Sequence, residues 1–314
     1  MYNFDFKKTL GQNFLKDDNI VNKIVNATEY KKNNLVITNS LYEANDVYNR
    51  LLNYTNKVLF FPMDDFITSE VTDISPEFVI DRLTTLNKLL GSGKYIVVTN
   101  LMGILRYLPN TKLYKNKIID INKDMDIDRD DFINKLFDLG YEKKPVVSRT
   151  GEMAIRGYVI DIFPIEFDNP IRIEFWGDTI DSIKYFDLDD QISNTSVDSV
   201  KIYPYTEFLI DGKIGDNIIR KQKYLLNYSD SVSGLWDYVS DSVIFYYDYN
   251  QIINSYSLLR ENILEYDSEL DDDIKTNYMW DIEDISNKHN IYILDIDNLI
   301  DLDVNNKKYV SHSI

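Results

Sequence analysis

Residues Thr150 to Asp187 read TGEMAIRGYVIDIFPIEFDNPIRIEFWGDTIDSIKYFD, and the alternation inside this stretch decides what kind of surface the chain presents. Between Ile171 and Trp176 three apolar side chains, Ile171, Ile173 and Phe175, alternate with Arg172, Glu174 and Trp176. A strand turns successive side chains to opposite faces, so the first three share one face and the second three the other. Gly177-Asp178 then supplies a turn. The run from Met153 to Phe163 reads as one strand, carrying Arg156 beside Gly157 and closed by Pro164, which has no N–H to give a ladder. Three strands with two turns are therefore expected, with a tryptophan flanked by arginines on the face turned to water.

On both sides of this stretch the pattern changes. From Leu35 the chain alternates short apolar runs (LVITNS, KVLFFP and Tyr95 to Thr99) with helical patterns at LYEANDVYNRLLNY and from Pro76 to Leu90. Apolar strands without alternation, separated by helices, indicate a parallel sheet covered on both faces. Asp120 to Leu139 reads as an acidic loop and a short helix with Phe132, Leu136 and Leu139 at helical spacing. After Tyr205 the α/β pattern resumes, with strands at Ser242 to Tyr246 and Ile291 to Ile296 and a helix from Tyr249 to Tyr266.

Composition narrows the chemistry. The 314 residues can fill two or three cores, and a formal charge of −18 repels phosphates, so nucleic-acid binding would need a local basic patch that the sequence does not show. Its 24 tyrosines reflect a composition also rich in Asn, Ile and Lys rather than a stacking surface. With no cysteine and only His289 and His312, thiolate chemistry and a multi-histidine metal centre are excluded. No apolar run approaches the roughly 18 residues of a membrane span, and no signal-peptide pattern opens the chain, so a soluble cytoplasmic protein without membrane partners is expected.

Several motifs fail on inspection. Gly91-Ser92-Gly93-Lys94 lacks a following Ser or Thr, has Lys88 where a phosphate loop has glycine, and precedes a strand instead of opening a helix. It reads as a helix-to-strand turn. Asp64-Asp65 reads as a cap or turn, since adjacent side chains diverge. Residues 261 to 303 hold fourteen acidic side chains against Lys275 and Lys288, but Asp271-Asp272-Asp273 lacks the spaced ligands and glycine of a calcium loop and reads as a solvated acidic segment. No cofactor site and no catalytic residue emerge.

Residues 1 to 37 hold a helical stripe of Ile20, Ile24 and Val25, and their Leu10-Gly11-Gln12-Asn13-Phe14-Leu15 resembles the opening of the ribosomal RNA adenine dimethyltransferase family. That family continues into a Gly-rich cofactor loop; here Leu35-Val36-Ile37 runs into Thr38-Asn39-Ser40, without glycine, and a methyltransferase-related protein stays an alternative only. Other words resemble a second family. FPMDDF from Phe61, ISPE from Ile74, VVTNLMGILRYLP from Val97, the Arg-Gly pair, Ile-Asp-Ile-Phe-Pro and Arg-Ile-Glu-Phe before Gly-Asp are similar to the UvrB-like amino-terminal module of bacterial transcription-repair coupling factors. The likeness covers about Thr38 to Glu207 strongly and the remainder more weakly.

That resemblance implies an α/β fold in which a degenerate RecA-like parallel-sheet domain, residues 38–119 and 206–314, is interrupted by a smaller α/β domain with an antiparallel sheet, residues 120–205. It implies a non-catalytic module that docks the damage-recognition protein UvrA, with Arg156, Arg172 and Trp176 in the contact positions and Glu174 on the same face. Trp176 stands where the family usually has Phe or another large apolar group. An alternative partner for the same face is a carboxyl-terminal domain of the same factor, giving an autoinhibitory scaffold. RNA polymerase and DNA would be engaged only through domains beyond Ile314, and residues 1–37 would be a fused or mis-joined start.

Overall fold

The structure is a computed structural model that describes Ile24 and residues 33–64, 75–212, 224–239, 242–269, 277, 279–288, 291–294 and 307–309. Its strands, in chain order, are β1 (Asn33–Thr38), β2 (Val58–Phe61), β3 (Ile96–Asn100), β4 (Leu108–Pro109), β5 (Ile119–Asn122), β6 (Glu142–Lys143), β7 (Glu152–Arg156) and β8 (Val159–Ile162). They continue with β9 (Ile171–Trp176), β10 (Thr179–Phe186), β11 (Ser193–Ser196), β12 (Ser199–Ile202), β13 (Val232–Ser233), β14 (Ser242–Tyr247), β15 (Ile291–Leu294) and β16 (Lys307–Tyr309).

The apolar runs without alternation form the expected parallel layer, a six-stranded sheet in the order β16-β15-β14-β1-β3-β2. Every residue of β1, β2 and β3 is buried, as a sheet covered on both faces requires. Val36, Phe60, Val98 and Phe245 meet Ala44, Val47 and Leu51 of the helix Leu41–Leu52 on one side, and Ile24 joins this cluster. Leu35, Ile37, Phe61 and Val97 face the other side, against Leu83 and Leu86 of the helix Pro76–Leu89. The first helix is fixed at its start by a capping box: the Ser40 hydroxyl accepts from the Glu43 N–H while the Glu43 carboxylate accepts from the Ser40 N–H.

The second layer is a mixed six-stranded sheet in the order β11-β10-β9-β8-β7-β6, antiparallel except for the β6–β7 pair. Its inner face, with Met153, Ile160, Ile162, Ile171, Ile173, Phe175 and Ile180, shares one core with the parallel layer and with Phe132 and Leu136 of the helix Arg129–Asp138. β5 and β12 pair antiparallel, Ile119 opposite Ile202, and so bring together the two ends of the segment that carries this sheet.

Two expectations need correction. The run Met153 to Phe163 is two strands, because Gly157 takes φ +57 and, with Tyr158, turns the chain so that Arg156 pairs with Val159. The stretch 150–187 therefore holds four strands. The loop expected after Asp120 belongs in part to β5, whose Ile121 is buried against the core while Asp120 and Asn122 face water.

Candidate protein-docking face

The outer face of the mixed sheet is where the sequence placed its candidate residues. Cross-strand register sets Asp161 of β8 opposite Arg172 of β9, and Lys184 of β10 opposite Arg172 on the other side. One pair further along, Glu174 lies between Val159 and Ser182. Arg156 opposes Val159 from β7, and Trp176 opposes Thr179 across the Gly177-Asp178 turn, where Gly177 takes φ +63. The alternation along β9 is borne out in full: Ile171, Ile173 and Phe175 are buried, while Arg172 and Glu174 are half-buried and Trp176 is exposed.

The four candidates differ sharply in how free they are. Trp176 is 82% exposed, and Tyr158 at the neighbouring hairpin tip is 66% exposed, its carbonyl accepting from the Phe175 N–H at 2.9 Å. Arg172 is only 16% exposed in its side chain, which corrects the expectation of a fully open Arg-Glu-Trp face. Its Nε and Nη2 donate to the two oxygens of Asp161 at 2.7 and 3.0 Å, and its Nη1 donates to the Gln191 carbonyl at 3.2 Å and the Ser193 hydroxyl at 3.4 Å. The guanidinium lies over the Phe186 ring, 4.7 Å from its centroid. Alternation assigns a side chain to a face; it does not reveal that the segment after β10 folds back over that side chain.

Arg156 donates through Nη2 to the second oxygen of Asp161 and keeps 46% of its side chain exposed. Glu174 accepts from Lys184 Nζ at 2.7 Å and from the Ser182 hydroxyl. These partners move the titrations as charge-assisted hydrogen bonds do. The bond to Asp161 raises Arg172, and the bonds from Lys184 and then Ser182 lower Glu174. Both groups are charged at neutral pH. The ion pairs of the face thus set Arg156, Arg172 and Lys184 against Asp161 and Glu174.

Asp161 is the residue that sequence reasoning missed. It is 1% exposed and sits on an inner strand of the sheet, with both oxygens engaged by arginines. A lone Asp between Ile160 and Ile162 was the signal, since a carboxylate is buried only with cationic or N–H partners.

The discarded motifs keep their structural readings where they are described. Gly91 to Lys94 connects the helix Pro76–Leu89 to β3 and does not open a helix. Asp64 follows β2 in a loop held by Asn100, whose side chain accepts from the Met63 N–H and donates to the Met63 carbonyl at 3.1 and 2.7 Å. Asp65, Asp271 to Asp273, His289, His312 and Leu10 to Leu15 lie outside the described residues. Among the described residues no cluster of three or more metal-ligating side chains occurs, and no helix is long and apolar enough to cross a membrane.

The outer face of the mixed sheet thus combines the Arg156–Asp161–Arg172 group with an exposed tryptophan. Residues 119–208, which hold that sheet, match the UvrB interaction domain family. The chain is also similar to the transcription-repair-coupling factor of Bacillus subtilis, at 37% identity over 186 residues, 59% of this chain and 16% of that protein. It resembles the transcription-repair-coupling factors of Staphylococcus haemolyticus (35% identical over 182 residues, 57% of this chain and 16% of that protein) and Staphylococcus epidermidis (32% over 200 residues, 63% and 17%). The chain spans about one sixth of the length of these relatives.

Proposed function

We propose that this chain is the UvrB-like amino-terminal part of a transcription-repair coupling factor, acting without catalysis in the cytoplasm as a docking module for UvrA. The match of residues 119–208 and the likeness to coupling factors support this reading. Within it, residues 38–119 and 206–314 form a degenerate RecA-like domain and residues 120–205 the inserted docking domain. RNA polymerase and DNA belong to other domains of such a factor.

The contact surface comprises Arg156, Arg172, Glu174 and Trp176, and the observation that carries it is Trp176 itself. A large aromatic side chain left 82% exposed on the same sheet face as fixed cations, in the region that matches the family, is the composition of an interface hot spot. Trp and Arg hot spots are worth about 2 kcal/mol or more each, which is a roughly thirtyfold change in affinity. Titration of UvrA with the Arg156→Ala, Trp176→Ala double variant should show at least that loss while the melting temperature holds. Unchanged affinity would remove the reading.

A further inference from the structure

We infer that Asp161 is a positioning residue for the docking face: it holds Arg156 as the outward-facing cation, with Arg172 as its inner counterpart, so that the face receives a partner carboxylate next to a pocket for Trp176. This inference rests on the docking proposal and divides its residues by task.

The division follows from counting donors and acceptors. A guanidinium carries five N–H donors, and a carboxylate only accepts. Arg172 spends Nε, Nη1 and Nη2 on Asp161, Gln191 and Ser193, and its flat face on Phe186. At 16% exposure it has little left to offer a partner. Arg156 makes one hydrogen bond, to Asp161, which leaves four of its five donors uncommitted on a side chain that is 46% exposed. Both guanidinium groups therefore hang from one carboxylate, but Arg156 is much the more exposed of the two.

Charge adds a second step. Two cations share one buried anion, so the group carries one positive charge that nothing within it cancels. A carboxylate from a partner, bound to the free edge of Arg156, would complete a balanced two-by-two arrangement, and the bidentate fork of Arg suits that geometry where Lys does not. Since Asp161 is held by the ladders of β7 and β9 on either side, the guanidinium it fixes is ordered before the partner arrives. Preorganisation of this kind strengthens binding by removing an ordering cost that would otherwise fall at the moment of association.

The sign of one substitution separates this from a general electrostatic effect. Asp161→Asn removes a negative charge near the proposed contact, so long-range attraction alone would tighten binding to an acidic partner. Loss of positioning weakens it. The experiment is titration of UvrA, by calorimetry at fixed ionic strength, with the wild-type chain and the variants Asp161→Asn, Arg156→Ala, their combination, Arg156→Lys, and Arg156→Ala with Trp176→Ala. Expected are an affinity loss of about fivefold or more for Asp161→Asn, no further loss when it is added to Arg156→Ala, and a loss for Arg156→Lys close to that of the alanine variant. A merely structural Asp161 would weaken the Arg156→Ala protein as much as the wild type. Affinity unchanged or tighter in Asp161→Asn, or losses that simply add, would overturn the inference while the docking proposal stood. If Asp161→Asn does not fold, Arg156→Lys decides alone: affinity at the wild-type level overturns the positioning role. If Arg156→Ala with Trp176→Ala binds as the wild type does, the docking proposal falls and the inference with it.

Discussion

Arg82, on the helix Pro76–Leu89, closes a two-pronged fork on Glu207, its Nε and Nη2 lying 3.0 and 3.1 Å from the two carboxylate oxygens. Glu207 follows β12, the strand paired with β5 outside the mixed sheet, and Arg106 adds a third contact at 2.7 Å. All three residues are buried. Arg82 also donates to the Pro62 carbonyl at 3.0 Å, so the triad ties the loop after β2 to the segment that follows β12.

Removing the anion from such a group leaves two buried cations facing each other. Breaking a buried pair by losing one partner costs about 3–5 kcal/mol. Glu207→Gln should therefore lower the unfolding free energy by that amount in urea titrations. A loss below about 1 kcal/mol would show that the triad is not a structural tie.

The same carboxylate gives the stability a pH signature. Burial pushes Glu207 up, but the charges of Arg106 and Arg82 outweigh it and hold the group down at about 2, against an ordinary value of 4.5. A depressed folded-state value means that the stabilisation is fully present above about pH 4.5 and is lost as the pH falls toward 2. Arg106, lowered to about 10 chiefly by burial, stays charged throughout that window. The contribution is on the order of 3 kcal/mol. Acid titration of stability should be steeper between pH 4.5 and 2 in the wild type than in Glu207→Gln, and identical slopes would contradict this.

How much of this was legible in the sequence depends on how far apart the interacting groups lie. The alternation of Ile171 to Trp176 predicted which side chains of β9 face inward, because neighbours on one strand decide it. The parallel strands were legible as apolar runs for the same local reason. The hairpin at Gly157-Tyr158 left two weak marks, Gly157 and a change of phase in the apolar positions, from Met153 and Ile155 to Ile160 and Ile162, and the nearly continuous apolar run masks both. Asp161 read as one polar residue in a strand; its burial depends on Arg156, five residues before, and Arg172, eleven after, arriving from the flanking strands. The fork between Arg82 and Glu207 spans 125 residues, and no periodicity encodes it.

Two glycines with positive φ make a contrast in cost. Gly157 (φ +57) has open space where a Cβ would go, so Gly157→Ala meets only the backbone penalty of about 1–2 kcal/mol. At Gly151 (φ +89) the same Cβ would run into the ring of Tyr205, which packs beside Tyr141. Gly151→Ala should destabilise by clearly more than Gly157→Ala in thermal unfolding, because steric overlap adds to strain. Equal shifts in melting temperature would contradict the close approach of Tyr205.

Trp176 allows its own exposure to be read directly. Of the three tryptophans, Trp236 is fully buried and Trp280 is half-buried, its indole N–H donating to the Ser233 carbonyl, whereas Trp176 stands 82% exposed. Acrylamide should therefore quench mainly the emission of Trp176. In Trp176→Phe the readily quenched fraction should vanish while the unfolding free energy stays within about 0.5 kcal/mol of the wild type, as for an exposed side chain that supports no packing. An undiminished quenched fraction would mean that another tryptophan is the accessible one. Saturation with UvrA gives the complementary reading. If the outer face of the mixed sheet is covered in the complex, the wild-type protein should become as resistant to acrylamide as Trp176→Phe is alone, and full quenching in the bound state would place the contact elsewhere on the chain.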